Sequence, residues 1–187
     1  MMLKRAPLIR STSHPGSWQG LDENKPSEGD TNTMTDDSSP VRKFTRDELV
    51  ARLVRAGELE VSGEDQAELD SYFDTENFRF HGPGGSEADY AGLTAYFASI
   101  RAAFDDREIT RGIIVAEGNT LACQTWIEGT FVREFTRSPA GPLPPTGARV
   151  VWDLMNIFRF DDRGRLTEEY VRTDYRSFLR QLGAEGR

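Results

Sequence analysis

The chain has 187 residues and a formal net charge of −8, which argues against nucleic acid and anionic membranes as partners. Its single cysteine, Cys123, excludes an internal disulfide and predicts a cytoplasmic protein. Two histidines are too few for a typical structural zinc site. The sequence contains no run of about 18 apolar residues, so no membrane span is predicted.

Residues 1–43 differ in composition from the rest of the chain. They are poor in large apolar side chains and rich in Ser, Thr, Asp, Gly and Pro. Such a segment cannot bury enough apolar surface to offset its ordering entropy. We therefore predict a disordered tail over 1–43 and one folded domain over 44–187, with Met34 as an alternative translation start.

The first half of the domain is predicted to be mainly helical. In "TRDELVARLVRAG", Thr45 and Glu48 have capping-box spacing, and we expect Gly57 to end this helix. A short helix in "GEDQAELDSYF" and a short strand in "ENFRFHGPGG" follow. "DYAGLTAYFASIRAAF" is the clearest helix, because its apolar residues recur at helical spacing: Leu93, Phe97, Ile100 and Phe104.

The second half alternates as strands do and closes with a short helix. Turn residues divide it into four predicted strands, 106–117, 119–135, 147–161 and 165–174. This order of elements predicts an α+β fold in which the helices gather on one face of a curved antiparallel sheet.

One face of the strand at 147–161 is apolar except for Asn156. Asn156 either lies near a strand end and bonds to backbone or water, or is the one hydrogen-bonding group in a dry ligand cavity. On the second interpretation we expect the pocket wall to include Trp126, Trp152, Phe158, Tyr170 and Gln124.

The last strand, 165–174, carries charge on both faces. Asp174 lies where this strand gives way to the closing helix. Its carboxylate either caps that helix or points into the cavity mouth, where it could transfer a proton. By the two-residue period, Glu168, Tyr170, Arg172 and Asp174 share one face, and Thr167, Glu169, Val171 and Thr173 share the other.

The motifs "WIEGTF…PPTG…MNIFRFDDRGRLTEEYVRTD…LRQLG" resemble the SnoaL-like polyketide cyclase family of the nuclear transport factor 2-like superfamily. The similarity covers residues 45–183. The spacing of Leu166, Glu168, Tyr170 and Asp174 matches the family's Ile-x-Glu-x-Trp-x-x-x-Asp signature, with Tyr in place of Trp.

This resemblance implies a cone, in which a strongly bent antiparallel sheet wraps on helices around an apolar pocket, and it implies a homodimer. Cyclase members close a polyketide ring by an intramolecular aldol step without a metal or organic cofactor. By this resemblance the substrate is a small apolar or polyketide-like molecule, Asp174 is the proton-shuttling aspartate, and Asn156 orients the substrate.

The chain departs from the family pattern at two positions where histidine is frequent, which here hold Phe131 and Asn156. His81 is the remaining histidine of the domain. It is either a loop residue or, if it faces Asp174 across the cavity mouth, a partner that shares its proton.

Three functions remain open from the sequence. The first is a cofactor-independent cyclase or isomerase, and the second is a ligand-binding or dimerisation module without chemistry, because a fold alone does not fix activity. The third is epoxide hydrolysis, which members of the superfamily perform with an Asp-Arg-Asp cluster. This hypothesis requires the side chains of Asp153, Arg172 and Asp174 to converge in one cluster.

Overall fold

The computed structural model describes residues 43–185, which form four α-helices and one six-stranded sheet. Apart from Lys43, the tail predicted over 1–43 and the alternative start at Met34 lie outside the described residues. Among the helices of this part of the chain, none is long and apolar enough to cross a membrane.

The first helix, α1, spans Arg46–Ser62 and begins with the predicted capping box. The Glu48 backbone N–H donates to the Thr45 hydroxyl at 3.3 Å, and the Thr45 N–H donates to the Glu48 carboxylate at 2.8 Å. The prediction that Gly57 ends this helix was wrong. The helix continues for another turn to Gly63, whose φ of +72° permits the left-handed cap.

Three further helices follow the predicted order. These are α2 (Gln66–Asp70), α3 (Tyr90–Ala103) and α4 (Tyr175–Gln181). The apolar stripe predicted for α3 is buried against the sheet, and its last member, Phe104, begins the next strand.

The sheet is mixed rather than wholly antiparallel. Its strands are β1 (Arg79–His81), β2 (Glu87–Ala88), β3 (Phe104–Glu117), β4 (Thr120–Phe131), β5 (Arg149–Phe160) and β6 (Leu166–Thr173). They lie in the order β2-β1-β6-β5-β4-β3, and β1 pairs with β6 in parallel. The four long strands were predicted, whereas β2 was not.

The helices cover one face of the sheet, which we call the inner face. On β4, alternate residues Leu121, Cys123, Ile127 and Phe131 are buried there. Two register shifts in β3, between Asp105 and Glu108 and between Arg111 and Ile114, interrupt its pairing with β4. Because bulges bend and twist a strand, these shifts favour the curved sheet of the expected α+β cone, and the predicted fold class is confirmed.

The loop 132–148 joins β4 to β5 and is anchored in the core. Phe135 and Leu143 bridge each other through backbone hydrogen bonds, and both side chains are buried. Pro139 lies between these anchors and reaches the cavity described below.

Candidate active site

A cavity of about 380 Å³ lies between the inner face of the sheet and helices α1, α3 and α4. Most of its wall is aromatic or aliphatic, with Phe80, Phe97, Ile100, Ile127, Leu154 and Phe178 among the lining residues. This volume and this largely apolar wall are typical of sites for small organic molecules.

Four of the polar side chains that line the cavity come from four different elements and interact with one another, and we call them the polar cluster. They are Glu60 of α1, Arg111 of β3, Asn156 of β5 and Glu169 of β6. Each carboxylate residue is only 9 % exposed, and Asn156 is 2 % exposed. Charged groups this deeply buried are rare without a partner, so the cluster needs an explanation.

Hydrogen bonds fix three members of the polar cluster. The Asn156 side-chain amide donates to Glu169 Oε1 at 2.8 Å, and Arg111 Nη1 donates to the Thr125 hydroxyl at 2.6 Å. The Arg111 guanidinium also lies 5.4 Å from the centre of the Phe158 ring, within cation–π range.

The environment gives the two carboxyl groups different proton affinities. Burial raises the pKa of Glu169 to about 7, although the positive charge of Arg111 and the hydrogen bond from Asn156 partly oppose this. Burial and then the nearby charge of Glu169 raise the pKa of Glu60 to about 8, against the opposing charges of Arg111 and Arg101. Near neutral pH the pair therefore retains a proton, and the Arg111 charge together with the Asn156 hydrogen bond favours Glu169 as the ionised member.

Two polar atoms of the cluster are left without a partner. Arg111 Nε and Asn156 Oδ1 are both buried and make no hydrogen bond to any residue in 43–185. Unsatisfied buried polar atoms cost about 1–3 kcal/mol each and tend to be retained where they serve a site.

Gly57 explains how Arg111 fits against α1. A Cβ atom at this position would lie 2.6 Å from Arg111 Nη2 and 2.9 Å from Ile109 Cδ1. The glycine therefore leaves room in the helix surface for the guanidinium, three residues before Glu60. This is the physical reason why Gly57 lies inside α1 instead of ending it.

Two predicted site residues line the cavity. Asn156 lies in the polar cluster, and Trp152 lies on the same face of β5, four residues earlier. The indole N–H of Trp152 donates to the Tyr96 hydroxyl at 3.2 Å.

Asp174 lies outside the cavity wall, between two residues that line it, Thr173 and Tyr175. Its side chain is exposed and accepts a hydrogen bond from the backbone N–H of Ser177 at 3.0 Å. Of the two predicted alternatives for Asp174, the structure has the helix cap.

His81 ends β1 and does not line the cavity, so the alternative in which it shares a proton with Asp174 across the cavity mouth is not formed. Its ring stacks on Tyr170, with centroids 4.4 Å apart, and its Nδ1 lies 3.6 Å from a Glu87 carboxylate oxygen. Tyr170 alternates along β6 with the inward-facing Glu169, so this ring pair belongs to the opposite, outer face of the sheet.

The remaining predicted wall residues also lie away from the cavity. Gln124 and Trp126 alternate along β4 with buried residues and therefore face outward. Phe158 faces inward, but it packs beneath Arg111 and does not line the cavity.

The cluster proposed for epoxide hydrolysis does not form inside the cavity. Asp153, Arg172 and Asp174 are all exposed, and none of them lines the cavity wall. Two carboxyl groups and one arginine do meet there, but they are those of the polar cluster.

Sequence reasoning missed Glu60, Arg111 and Glu169. Glu60 follows Leu53 by seven residues and Ala56 by four, so it falls on the buried stripe of α1. A carboxylate on an apolar stripe is the signal that could have identified it.

Metal binding finds no support in the described part of the chain. Within residues 43–185, no three His, Cys, Asp or Glu side chains come together in a way that could hold a metal ion.

Comparison with known proteins identifies one matching protein family. Residues 51–169 match the family model of the SnoaL-like domain. Among curated proteins there is no significant match to the sequence.

Three solved structures with similar folds come from Streptomyces species. AclR from Streptomyces galilaeus, a candidate hydroxylase, is 22 % identical with a TM-score of 0.62, covering 74 % of this chain and 98 % of its own. TsrD from Streptomyces laurentii is 22 % identical with a TM-score of 0.62, covering 76 % and 99 %. IdmH from Streptomyces antibioticus, a candidate polyketide cyclase, is 26 % identical with a TM-score of 0.58, covering 73 % and 99 %.

Proposed function

Because this chain belongs to the SnoaL-like family, we propose that it catalyses a cofactor-independent acid–base reaction on a small, largely apolar carbonyl compound. The reaction class is aldol-type cyclisation or isomerisation. Glu169 is the general base and Glu60 is the general acid, and this assignment replaces the aspartate expected from the family signature.

The observation that carries this proposal is the pair of carboxyl groups buried in the wall of one apolar cavity. Glu60 and Glu169 line the same cavity, and burial raises the pKa of each toward neutral pH. A general acid and a general base work best when their pKa values lie near the working pH. The exposed Asp174 has no comparable environment.

The chemical steps follow from these two protonation states. The Glu169 carboxylate removes a proton from the carbon next to a carbonyl group, and the electron pair moves to the carbonyl oxygen. The Glu60 hydroxyl donates a hydrogen bond to that oxygen as its negative charge develops. The enolate carbon then attacks a second carbonyl carbon of the same molecule, and the new alkoxide takes the proton back from Glu169.

Proton exchange on a simple ketone tests the proposal without knowledge of the natural substrate. We expect the protein to accelerate exchange of the α-hydrogens of cyclohexylcyclohexanone for deuterium, followed by NMR in heavy water. Glu169→Gln should reduce this acceleration by at least about a hundredfold, because the base is lost while the shape is kept. Glu60→Gln should reduce it less, because an amide still donates a hydrogen bond.

Glu168→Gln is the matched control, since Glu168 is the neighbouring residue on the outer face and pairs with Arg159 at 3.0 Å. Asp174→Asn separates the two candidate bases. Loss of exchange in Asp174→Asn with full exchange in Glu169→Gln would overturn the assignment to Glu169.

A binding module without chemistry is the second candidate. The observation that favours it is that Asp174, the residue matching the family's catalytic aspartate, caps α4 and is exposed. Binding of the ketone without any acceleration of exchange by the wild-type protein would support this function.

We also propose that two copies of the chain pair through the outer face of the sheet. Four large apolar side chains are exposed on β3 and β5, namely Ile113, Val115, Met155 and Ile157, with exposed fractions from 46 % to 75 %. Arginine–glutamate ion pairs flank this patch, so each flank carries a positive and a negative group. A two-fold axis between two copies can therefore place opposite charges against each other. Sedimentation velocity measures the resulting mass.

A further inference from the structure

The cavity contains a second polar feature that the proposed reaction does not use. Tyr96 of α3 lines the wall, and its hydroxyl oxygen accepts the hydrogen bond from the Trp152 indole N–H. In residues 43–185, the Tyr96 hydroxyl has no hydrogen-bond acceptor for its own proton. The Trp152 N–H fixes the oxygen, and the hydroxyl proton is available to an acceptor on a ligand.

Packing holds Tyr96 in this position. Its ring contacts Phe97 and Phe135, with centroids 6.1 Å and 5.9 Å away, and Phe135 is fully buried. Burial raises the pKa of Tyr96 to about 12, so the hydroxyl keeps its proton throughout the physiological range. Tyr96 is therefore a fixed donor whose strength does not change with pH near neutrality.

The strand position that holds the Tyr96 hydroxyl is well separated from the polar cluster along β5. The Tyr96 partner Trp152 and the cluster member Asn156 lie four residues apart on the same face of β5. At about 3.3 Å per residue this corresponds to about 13 Å along the strand. Leu154 lies between them and lines the cavity with an aliphatic surface.

From this arrangement we infer that Tyr96 is a specificity-determining residue that binds an acceptor oxygen at the far end of the substrate. The substrate class is then an elongated apolar molecule with two oxygen functions, one at the polar cluster and one at Tyr96. This inference rests on the proposed function in one respect, namely that the end of the substrate at the polar cluster is the end that reacts. Recognition at Tyr96 holds for a catalyst and for a binding module alike.

Two rod-shaped ketones measure this recognition directly. Cyclohexylcyclohexanone carries one carbonyl group, and bicyclohexanone, which consists of two cyclohexanone rings joined by a single bond, carries one at each end. We expect the wild-type protein to bind the diketone about five- to tenfold more tightly in calorimetric titration, the usual effect of one uncharged hydrogen bond.

Tyr96→Phe keeps the ring and removes only the hydroxyl, so the preference for the diketone should fall to within about twofold. Tyr72→Phe is the matched control and should keep the wild-type preference. It removes a tyrosine hydroxyl outside the cavity that bonds to Glu68 at 3.2 Å.

Two outcomes would overturn the inference. One is equal affinity of the wild-type protein for both ketones, and the other is an undiminished preference in Tyr96→Phe. Because these titrations measure binding, they are independent of proton exchange. Failure of Glu169 as the base leaves the Tyr96 result unchanged, and failure at Tyr96 leaves the exchange result unchanged.

Discussion

At the scale of single residues, the polar cluster sets the ionisation of the cavity. Two carboxyl groups share one adjacent cation, Arg111, and burial opposes ionisation of both. The most favourable state near neutral pH retains one proton on the pair, which is the state that acid–base chemistry requires. The cost of this arrangement appears in the free energy of folding.

We expect the free energy of unfolding to fall as the pH rises from about 5 to about 8. The folded-state pKa of Glu169, about 7, is raised above the unfolded value of 4.5, so its contribution to stability is fully present below the unfolded pKa. It is lost as the pH rises through the folded pKa, and the loss is on the order of 3 kcal/mol. Glu60 acts in the same direction over a slightly higher range.

Urea unfolding at several pH values measures this dependence. Glu169→Gln should reduce its slope, because a neutral amide replaces one of the two titrating groups and only Glu60 remains, whereas Glu168→Gln on the outer face should keep it. An equal pH dependence in wild type and Glu169→Gln would mean that the Glu169 carboxyl group is not buried in solution.

Strand alternation predicted only part of the cavity wall and of its polar cluster. Alternation identified Asn156 and Trp152 because both lie on a strand face that is almost wholly apolar. It did not identify Glu169, because both faces of β6 carry charge, and pairing with β5 decides which face is buried. The register shift after Arg111 likewise breaks the two-residue period that would place its side chain.

At the scale of elements, α1 and β3 are fitted to each other at Gly57. From the local sequence, a glycine indicates the end of a helix. Gly57 is instead explained by its contact with Arg111, which lies 54 residues later in the sequence. The parallel pairing of β1 with β6, in which Arg79 lies opposite Glu168, is equally non-local. Local periodicity identifies such strands but carries no information on their partners.

Gly57→Ala tests this fit. Inside a helix, this change ordinarily stabilises a protein by about 1 kcal/mol. Here the gain should be absent, because the new Cβ atom would lie 2.6 Å from Arg111 Nη2. In the Arg111→Gln background the collision with the guanidinium is relieved while the Ile109 Cδ1 methyl stays 2.9 Å from the new Cβ atom, so urea unfolding should then show part of the stabilisation.

The two measurements form a double-mutant cycle with an expected coupling of up to about 1 kcal/mol. A full gain from Gly57→Ala in the wild-type background would contradict the placement of Arg111 against α1.

At the scale of the whole molecule, the two faces of the sheet present different surfaces. The inner face forms the cavity, and the outer face exposes an apolar patch built from segments about 40 residues apart in the sequence. Val115, Ala122, Ile157 and Tyr170 lie side by side across four neighbouring strands. The predicted strands contain these residues, but only the strand order brings them into one surface.

Met155→Lys tests whether this patch joins two copies of the chain. Met155 is 57 % exposed on β5, a strand inside the sheet, so its side chain would lie within a symmetric interface. An unpaired ammonium group buried there costs several kcal/mol, and we expect the dimer dissociation constant to rise by at least about a hundredfold. Ala98→Lys adds the same charge at an exposed position of α3 and should leave the dimer intact. A monomeric wild-type protein at high micromolar concentration, or a Met155→Lys dimer of unchanged affinity, would assign the patch to a different partner.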